Sequence, residues 1–238
     1  MLKKTLLAAG TAAALSFAGA AQADIIDLFT TDQNALILTD VGGPIFSQVS
    51  GANILGGFRD IGLQVFSDTG SPAARAIVEV SGGVFTFSND NGIGGQATIQ
   101  WDGGTDALDP GVLNTTGLGG VDLLAASADR FILDVLTADL GFPFQLRATD
   151  MLGGDFTISL TSAGPGTFEI PFAAFVGVDF SQIGSLSAVI NTAGDTLALD
   201  LSVASIVTNQ VPEPAVLSLL GLGLLGFGIT SLRKTKTA

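Results

Sequence analysis

This sequence predicts an all-β sandwich, on three observations. Between Asp24 and Val211, apolar and polar residues alternate at period two in one short segment after another, as they do in strands with one buried face. Clusters of glycine, aspartate and asparagine interrupt those segments at short intervals and supply the backbone conformations that turns need. Helical spacing finds room only in residues 122–127 and 172–177, each long enough for one or two turns at most.

Taken in order, "IIDLFT" (25–30), "ALILTDV" (35–41), "IFSQV" (45–49), "RDIGLQVFS" (59–67) and "ARAIVEVS" (74–81) are the first expected strands. Their β-branched and aromatic side chains suit a pleated, half-buried surface. "GGVFTFSNDNG" sets Phe85 and Phe87 against Val84, Thr86 and Ser88, then breaks at residues 89–92 into a turn. "QATIQWDGG" offers Ala97, Ile99 and Trp101 on one face and ends in Asp102-Gly103, a hairpin-type signal. "DRFILDVLTAD", "FPFQLRATD", "DFTISLTSAG" and "GTFEIPF" continue the theme. In "DTLALDLSVASIV", Leu197, Leu199, Leu201, Val203 and Ser205 should face one way and Ala198, Asp200, Ser202, Ala204 and Ile206 the other. About a dozen strands in some 188 residues make one domain with a sizeable core.

Composition narrows the function classes. Nineteen Asp and two Glu stand against four Arg and no Lys between Asp24 and Val211, a balance of about −17. Nucleic acid is excluded as a partner, since phosphate binding needs a basic footprint. Direct adsorption to an anionic membrane or to an acidic polysaccharide without a bridging cation is disfavoured for the same reason. With neither His nor Cys in the chain, Ser-His-Asp and Cys-His catalysis and nitrogen- or sulfur-ligated zinc cannot be built. A glycosidase-type carboxylate pair is the enzymatic option left. Most of the aspartates sit in turns such as Asp102-Gly103 and Asp109-Pro110-Gly111, where turn geometry accounts for them. The expected role is therefore non-enzymatic.

Both ends of the chain read as addresses. Residues 1–23 combine Lys3 and Lys4, an apolar run and an Ala21-Gln22-Ala23 cleavage site, the layout of a secretory signal peptide. At the other end, Val211-Pro212-Glu213-Pro214 precedes eighteen uncharged residues, 215–232, and then Arg233, Lys234 and Lys236. As a helix that run would be about 27 Å long, enough for one membrane span. The basic cluster would hold its end on the cytoplasmic side. The domain plan is thus a signal peptide (1–23), a sandwich ectodomain (24–210) and a terminal segment (211–238).

That terminal segment resembles the PEP-CTERM sorting signal of exported bacterial proteins, which joins a Pro-Glu-Pro motif, an apolar span and a basic end in this order. The resemblance implies export across the inner membrane by the general secretion machinery and transient single-pass anchoring. It also implies recognition by an exosortase that cuts near Pro212-Glu213-Pro214, and delivery to the cell surface or to an extracellular, biofilm-type matrix. "LGGFRDIGLQV", "VSGGVFTFSNDNGIGGQATIQWDG", "DRFILDVLTADLG" and "LALDLSVASI" are similar to ectodomains found before such signals. Their layout resembles jelly-roll sandwiches of the carbohydrate-binding-module type. Two roles follow as expectations: a structural or adhesive surface protein, or a module that recognises extracellular polysaccharide.

Three groups of ectodomain residues are candidate ligands. Asp102, Asp106 and Asp109 lie in one loop, "WDGGTDALDPG", and such oxygen donors suit calcium; solvated turn carboxylates are the alternative. Trp101, at a strand end, is either a core or rim tryptophan or a surface on which a sugar ring stacks. Arg59-Asp60 and Arg147 with Asp150 offer polar ligand contacts, or else the arginines pair with nearby carboxylates.

Overall fold

The computed structural model of the protein describes residues 24–104, 110–125 and 127–209, all within the compact unit Ala23–Asn209. The signal-peptide and sorting segments lie outside the described residues, as does the expected transmembrane helix. Among the described residues no helix is long and apolar enough to cross a membrane.

Those residues form thirteen strands: β1 (Ile25–Asp27), β2 (Gln33–Leu38), β3 (Gly42–Ser50), β4 (Phe58–Asp68), β5 (Ala76–Ser81), β6 (Val84–Asn89), β7 (Ile93–Trp101), β8 (Arg130–Ala138), β9 (Phe142–Asp150), β10 (Asp155–Ser162), β11 (Gly166–Pro171), β12 (Ile183–Ile190) and β13 (Asp200–Thr208). They make two antiparallel sheets. Sheet A runs β11-β8-β13-β6-β5-β2, with β1 also on β13, and sheet B runs β10-β9-β12-β7-β4-β3. The chain crosses repeatedly between the sheets, and the buried faces of both, from Ile61, Leu63 and Ile99 to Phe85, Phe87 and Leu201, form one core.

Phenylalanine does the work that Tyr and Trp share in other cores. Phe172 stacks on Phe180 at 4.1 Å between ring centroids, and Phe131 meets both rings edge-on at 4.8 and 5.8 Å. This cluster fastens the segment between β11 and β12 to β8. The two ends of the described domain are tied as well: the Asp24 N–H donates to Thr208 Oγ1 at 2.9 Å, and the Thr208 N–H donates to the Asp24 carbonyl at 2.9 Å. Both ends of the sandwich therefore meet on sheet A.

The structure departs from the sequence reading in three places. β12 was not expected as a strand. Nearly all of it is buried, including Ser185 and Ser187, because residues 115–121 cross the outer side of its first half. The Leu118 N–H donates to the Gly184 carbonyl at 2.9 Å, and Val121 and Ile183 exchange backbone bonds. A methyl group at Gly184 would overlap the Thr115 carbonyl oxygen, so only glycine admits this crossing. With both faces covered, no alternation marks the strand.

In β13, register shifts against β8 between Ser202 and Ser205 insert a bulge. One extra residue reverses the phase of all that follow. Ile206 consequently turns inward with Leu201 and Val203, not outward as strict alternation requires. The two helical expectations shrink too. The described part of 122–127 is a turn closed by Ser127 N–H donating to the Leu124 carbonyl at 2.8 Å, and 172–177 holds a single 3-10 turn, Phe172–Ala174.

Candidate functional site

The outer face of sheet B is a polar surface assembled from all six of its strands. Side chains alternate across a strand, so the register that sends Ile61, Ile99 and Ala188 into the core sends their neighbours outward. One cross-strand row sets Gln48 opposite Asp60, Asp60 opposite Gln100, Gln100 opposite Ser187, Ser187 opposite Arg147, and Arg147 opposite Thr157. The next row is Phe46, Gly62, Thr98, Val189, Gln145 and Ser159. Amides and hydroxyls fill four of the six positions in the first row and three of the six in the second.

Phe46 supplies an aromatic surface to this face. Its half-buried ring lies across Gly62, where a methyl group would overlap three ring carbons. A glycine in mid-strand gives the ring a seat against the backbone. Gln145 Nε2 donates to Ser159 Oγ at 3.3 Å, and Arg147 grips Asp155 with Nε at 2.8 Å and NH2 at 2.7 Å. The Arg147 hydrogen bonds hold the Asp155 carboxyl below the usual carboxylate range, against the opposing effect of burial.

One half of the face is open, and at the other half residues 114–121 pack against Asp102 and the first half of β12. Asp60 and Asp102 are each 1% exposed and Gln100 is 7% exposed. Asp102 Oδ2 accepts the Asn114 N–H at 2.7 Å. Gln100 Oε1 and Gln48 Nε2 are buried without a hydrogen-bond partner. Among the described residues, no three carboxylate, histidine or cysteine side chains converge on one point.

Behind the face, on the core side of β4, lies a second polar group. Arg59 is completely buried and its guanidinium is fully engaged: NH1 to both Asp27 oxygens at 3.0 and 3.1 Å, Nε to Gln33 Oε1 at 2.8 Å, and NH2 to the Thr31 carbonyl at 2.6 Å. Trp101 Nε1 donates to Asp27 Oδ2 at 2.9 Å, the Phe29 N–H donates to Oδ1 at 2.8 Å, and the guanidinium carbon sits 5.5 Å from the Phe29 ring centre. Burial pushes the Asp27 carboxyl up, against the pull of Arg59, Trp101 and Phe29. Asp27, Arg59, Trp101 and Phe29 have no exposed surface, so the network's chemistry is structural: it joins β1, β2, β4 and β7.

Asp150 plays a comparable part at the end of β9. Burial opposes its ionisation, but the N–H groups of Asp179, Gly154 and Leu152, each at 2.8 Å, together hold its carboxyl below the usual range. It thereby joins the β9–β10 turn to the segment before β12.

Asp106 and Asp109, the sorting residues Val211, Pro212, Glu213 and Pro214, and the basic residues Arg233, Lys234 and Lys236 lie outside the described residues. A match with known proteins bears on the sorting residues. Residues 210–234 carry the PEP-CTERM protein-sorting motif. The PEP-CTERM motif implies export, membrane-anchored transit and processing by an exosortase, as the resemblance of the terminal segment suggests.

The chain has no match among curated proteins. Solved structures similar to it include the family 11 carbohydrate-binding module of the cellulosomal cellulase Lic26A-Cel5E of Clostridium thermocellum, at 12% identity over 81% of this chain and 97% of that one, TM-score 0.37. CtCBM11 in solution matches at 14% identity over 83% of this chain and 100% of that one, TM-score 0.39. An exo-beta-agarase matches at 11% over 80%, TM-score 0.40, and PfGH50B at 12% over 63%, TM-score 0.36; the chain spans only 25% and 23% of these two. TM-scores below 0.5 tie none of their activities to this chain.

The structure corrects one candidate of the sequence reading. Trp101 has no exposed surface, because its ring completes the core beside Asp27 and offers no face to a sugar. Arg59 and Arg147 do pair with carboxylates, but with Asp27 and Asp155 and not with the adjacent Asp60 or Asp150. Phe46 escaped the sequence reading altogether. The one signal for it is the glycine of "RDIGLQV", a gap in a strand that a neighbouring aromatic fills.

Proposed function

We propose that this is an exported, exosortase-sorted protein of the cell surface or extracellular matrix, with a structural or adhesive, non-enzymatic role. The PEP-CTERM motif at residues 210–234 carries this reading. The two ends of the described domain, Asp24 and Thr208, meet on sheet A. The intact mass of protein collected from the surface or medium is expected to begin at Asp24 and to end near Pro214. A surface form that keeps residues 215–238 would mean a permanent anchor and defeat the sorting reading.

The open half of the sheet B face favours a second reading, recognition of a neutral extracellular polysaccharide. Amides and hydroxyls in cross-strand rows both donate and accept, as sugar hydroxyls do. The Phe46 ring adds an apolar surface for the C–H face of a sugar. The strong negative charge of the ectodomain turns acidic polysaccharides away. The mature protein is expected to be retained on a neutral matrix polysaccharide, and Phe46→Ala to weaken retention by about tenfold, in line with an aromatic contact of about 1 kcal/mol or more. Equal retention of wild type and Phe46→Ala would remove this face from the reading; no retention on any matrix polysaccharide would leave the structural role.

A further inference from the structure

We infer that β10 is a docking edge for a second copy of this chain: two β10 strands pair antiparallel about a two-fold axis and join two copies of sheet B into one continuous sheet. The inference rests on the adhesive reading above and names its partner as another copy. Among the described residues β10 is bonded to β9 alone, at the edge of sheet B, so one side of its backbone carries N–H and carbonyl groups that no strand of the sheet takes up. Natural edge strands are blunted by proline, charge, bulges or shortness. β11 has Pro171 and Glu169, and β3 has Pro44 and a register shift against β4. β2 is short and irregular in register, and Gln33 Nε2 ties it to the Ser47 carbonyl and hydroxyl of β3 at 2.9 Å, which closes that side of the sandwich. β10 has none of these devices: its eight residues, "DFTISLTS", pair with β9 in unbroken register and include no proline. Its one charge, Asp155, is matched by Arg147.

The core side of β10 is unfinished. Phe156, Ile158 and Leu160 stand opposite Ala148, Leu146 and Phe144, which are all buried, and so they point to the core side of the sheet. Phe156 and Ile158 are nevertheless only half-buried, and Leu160 is 39% exposed. An apolar crevice lined by Leu133, Val135, Phe144, Leu160 and Phe168 lies there between the two sheets. A further strand beside β10 would take up its free backbone groups and remove these apolar side chains from water together.

The sequence of β10 fits itself. A two-fold axis perpendicular to the sheet keeps the core sides of both copies together, so each residue must oppose one that shares its face. With Ile158 on the axis, Ile158 meets Ile158 and Phe156 meets Leu160 on the core side, while Thr157 meets Ser159 and Asp155 meets Thr161 on the outer side. Apolar and hydroxyl pairs of this kind are favourable across a ladder. The two Asp155 carboxylates then lie about 20 Å apart along the strands, so no like charges face each other although the ectodomain as a whole is strongly negative. Such a contact uses the same patch on both copies and closes at two. It is about 27 Å long and one strand wide, at the small end of protein interfaces. The pair is therefore weak in isolation and gains strength where many copies are displayed on one surface.

The test is sedimentation equilibrium of the mature protein from about 10 μM to about 1 mM, the range a small interface calls for. A reversible monomer–dimer equilibrium is expected, with no larger species. Ile158→Asp should abolish it, because it sets two carboxylates against each other on the axis. Thr161→Asp places a carboxylate opposite Asp155 of the second copy, twice in each dimer, and should weaken association by about tenfold. Thr137→Asp adds the same charge on the exposed side of β8, in sheet A, and should leave association unchanged. A protein that stays monomeric throughout overturns the inference, as does a dimer that Ile158→Asp and Thr161→Asp leave intact or that Thr137→Asp weakens equally. If Ile158→Asp does not fold, the other two variants decide between these outcomes. A monomer whose mass still ends near Pro214 defeats this inference and leaves the sorting reading standing.

Discussion

Arg59→Met is expected to lower the stability of the sandwich by about 3–5 kcal/mol, measured by urea unfolding of the mature protein, because it leaves the fully buried Asp27 carboxylate without its counter-charge. The double variant Asp27→Leu with Arg59→Met should recover much of that loss, since no charge then remains in the core. Recovery will be incomplete, as Trp101 Nε1 and the Phe29 N–H both lose their acceptor.

The deficit of Arg59→Met also has a defined pH dependence. Burial already raises the Asp27 carboxyl above its ordinary value in the wild type, and loss of Arg59 raises it further. The folded state then holds its proton more tightly than the unfolded one, so the contribution from this group is best at low pH and is lost as pH rises through the folded value. The gap between wild type and Arg59→Met should therefore narrow as pH falls. Asp150 and Asp155 act in the opposite sense: their carboxyls are depressed, and the stability they add disappears as acid protonates them. A gap that widens in acid would contradict this account of Asp27.

Phe131→Ala is the second large effect, again about 3–5 kcal/mol by chemical or thermal unfolding. Its ring is 1% exposed and touches Phe172, Phe175 and Phe180 edge-on, with centroids 4.8 to 5.8 Å apart. Truncation opens a cavity and breaks three aromatic contacts at once. Hydrogen exchange should quicken first between β11 and β12, the segment these rings fasten to β8. Phe46→Ala gives the contrasting result: it removes an aromatic ring of the same kind with much less loss of stability, since Phe46 lies on the outer face.

The contrast between those two phenylalanines shows where sequence reading stops. Phe85 and Phe87 were legible as one face of a strand because they alternate with Val84, Thr86 and Ser88, and that face is buried. Nothing next to Phe46 in the chain distinguishes it from them; its place depends on Gly62, its partner on β4. Trp101 was legible as the end of a strand, but its burial depends on Asp27, 74 residues away. β12 escaped notice because the alternation that marks a strand is the signature of one solvated face, and residues 115–121 remove that face. Ile206 was assigned the wrong side because a bulge declares itself only through the partner strand.

Period-two alternation, turn composition, the absence of His and Cys, and the motif at the end of the chain are properties of neighbouring residues, and they were enough to specify a β-sandwich carrying a sorting address. Which phenylalanines are core, which carboxylate Arg59 neutralises, and that Asp60 stands opposite Gln100 were decided by strand pairing. Residues dozens of positions apart become neighbours only once two sheets have found their register, and no local pattern records that distance.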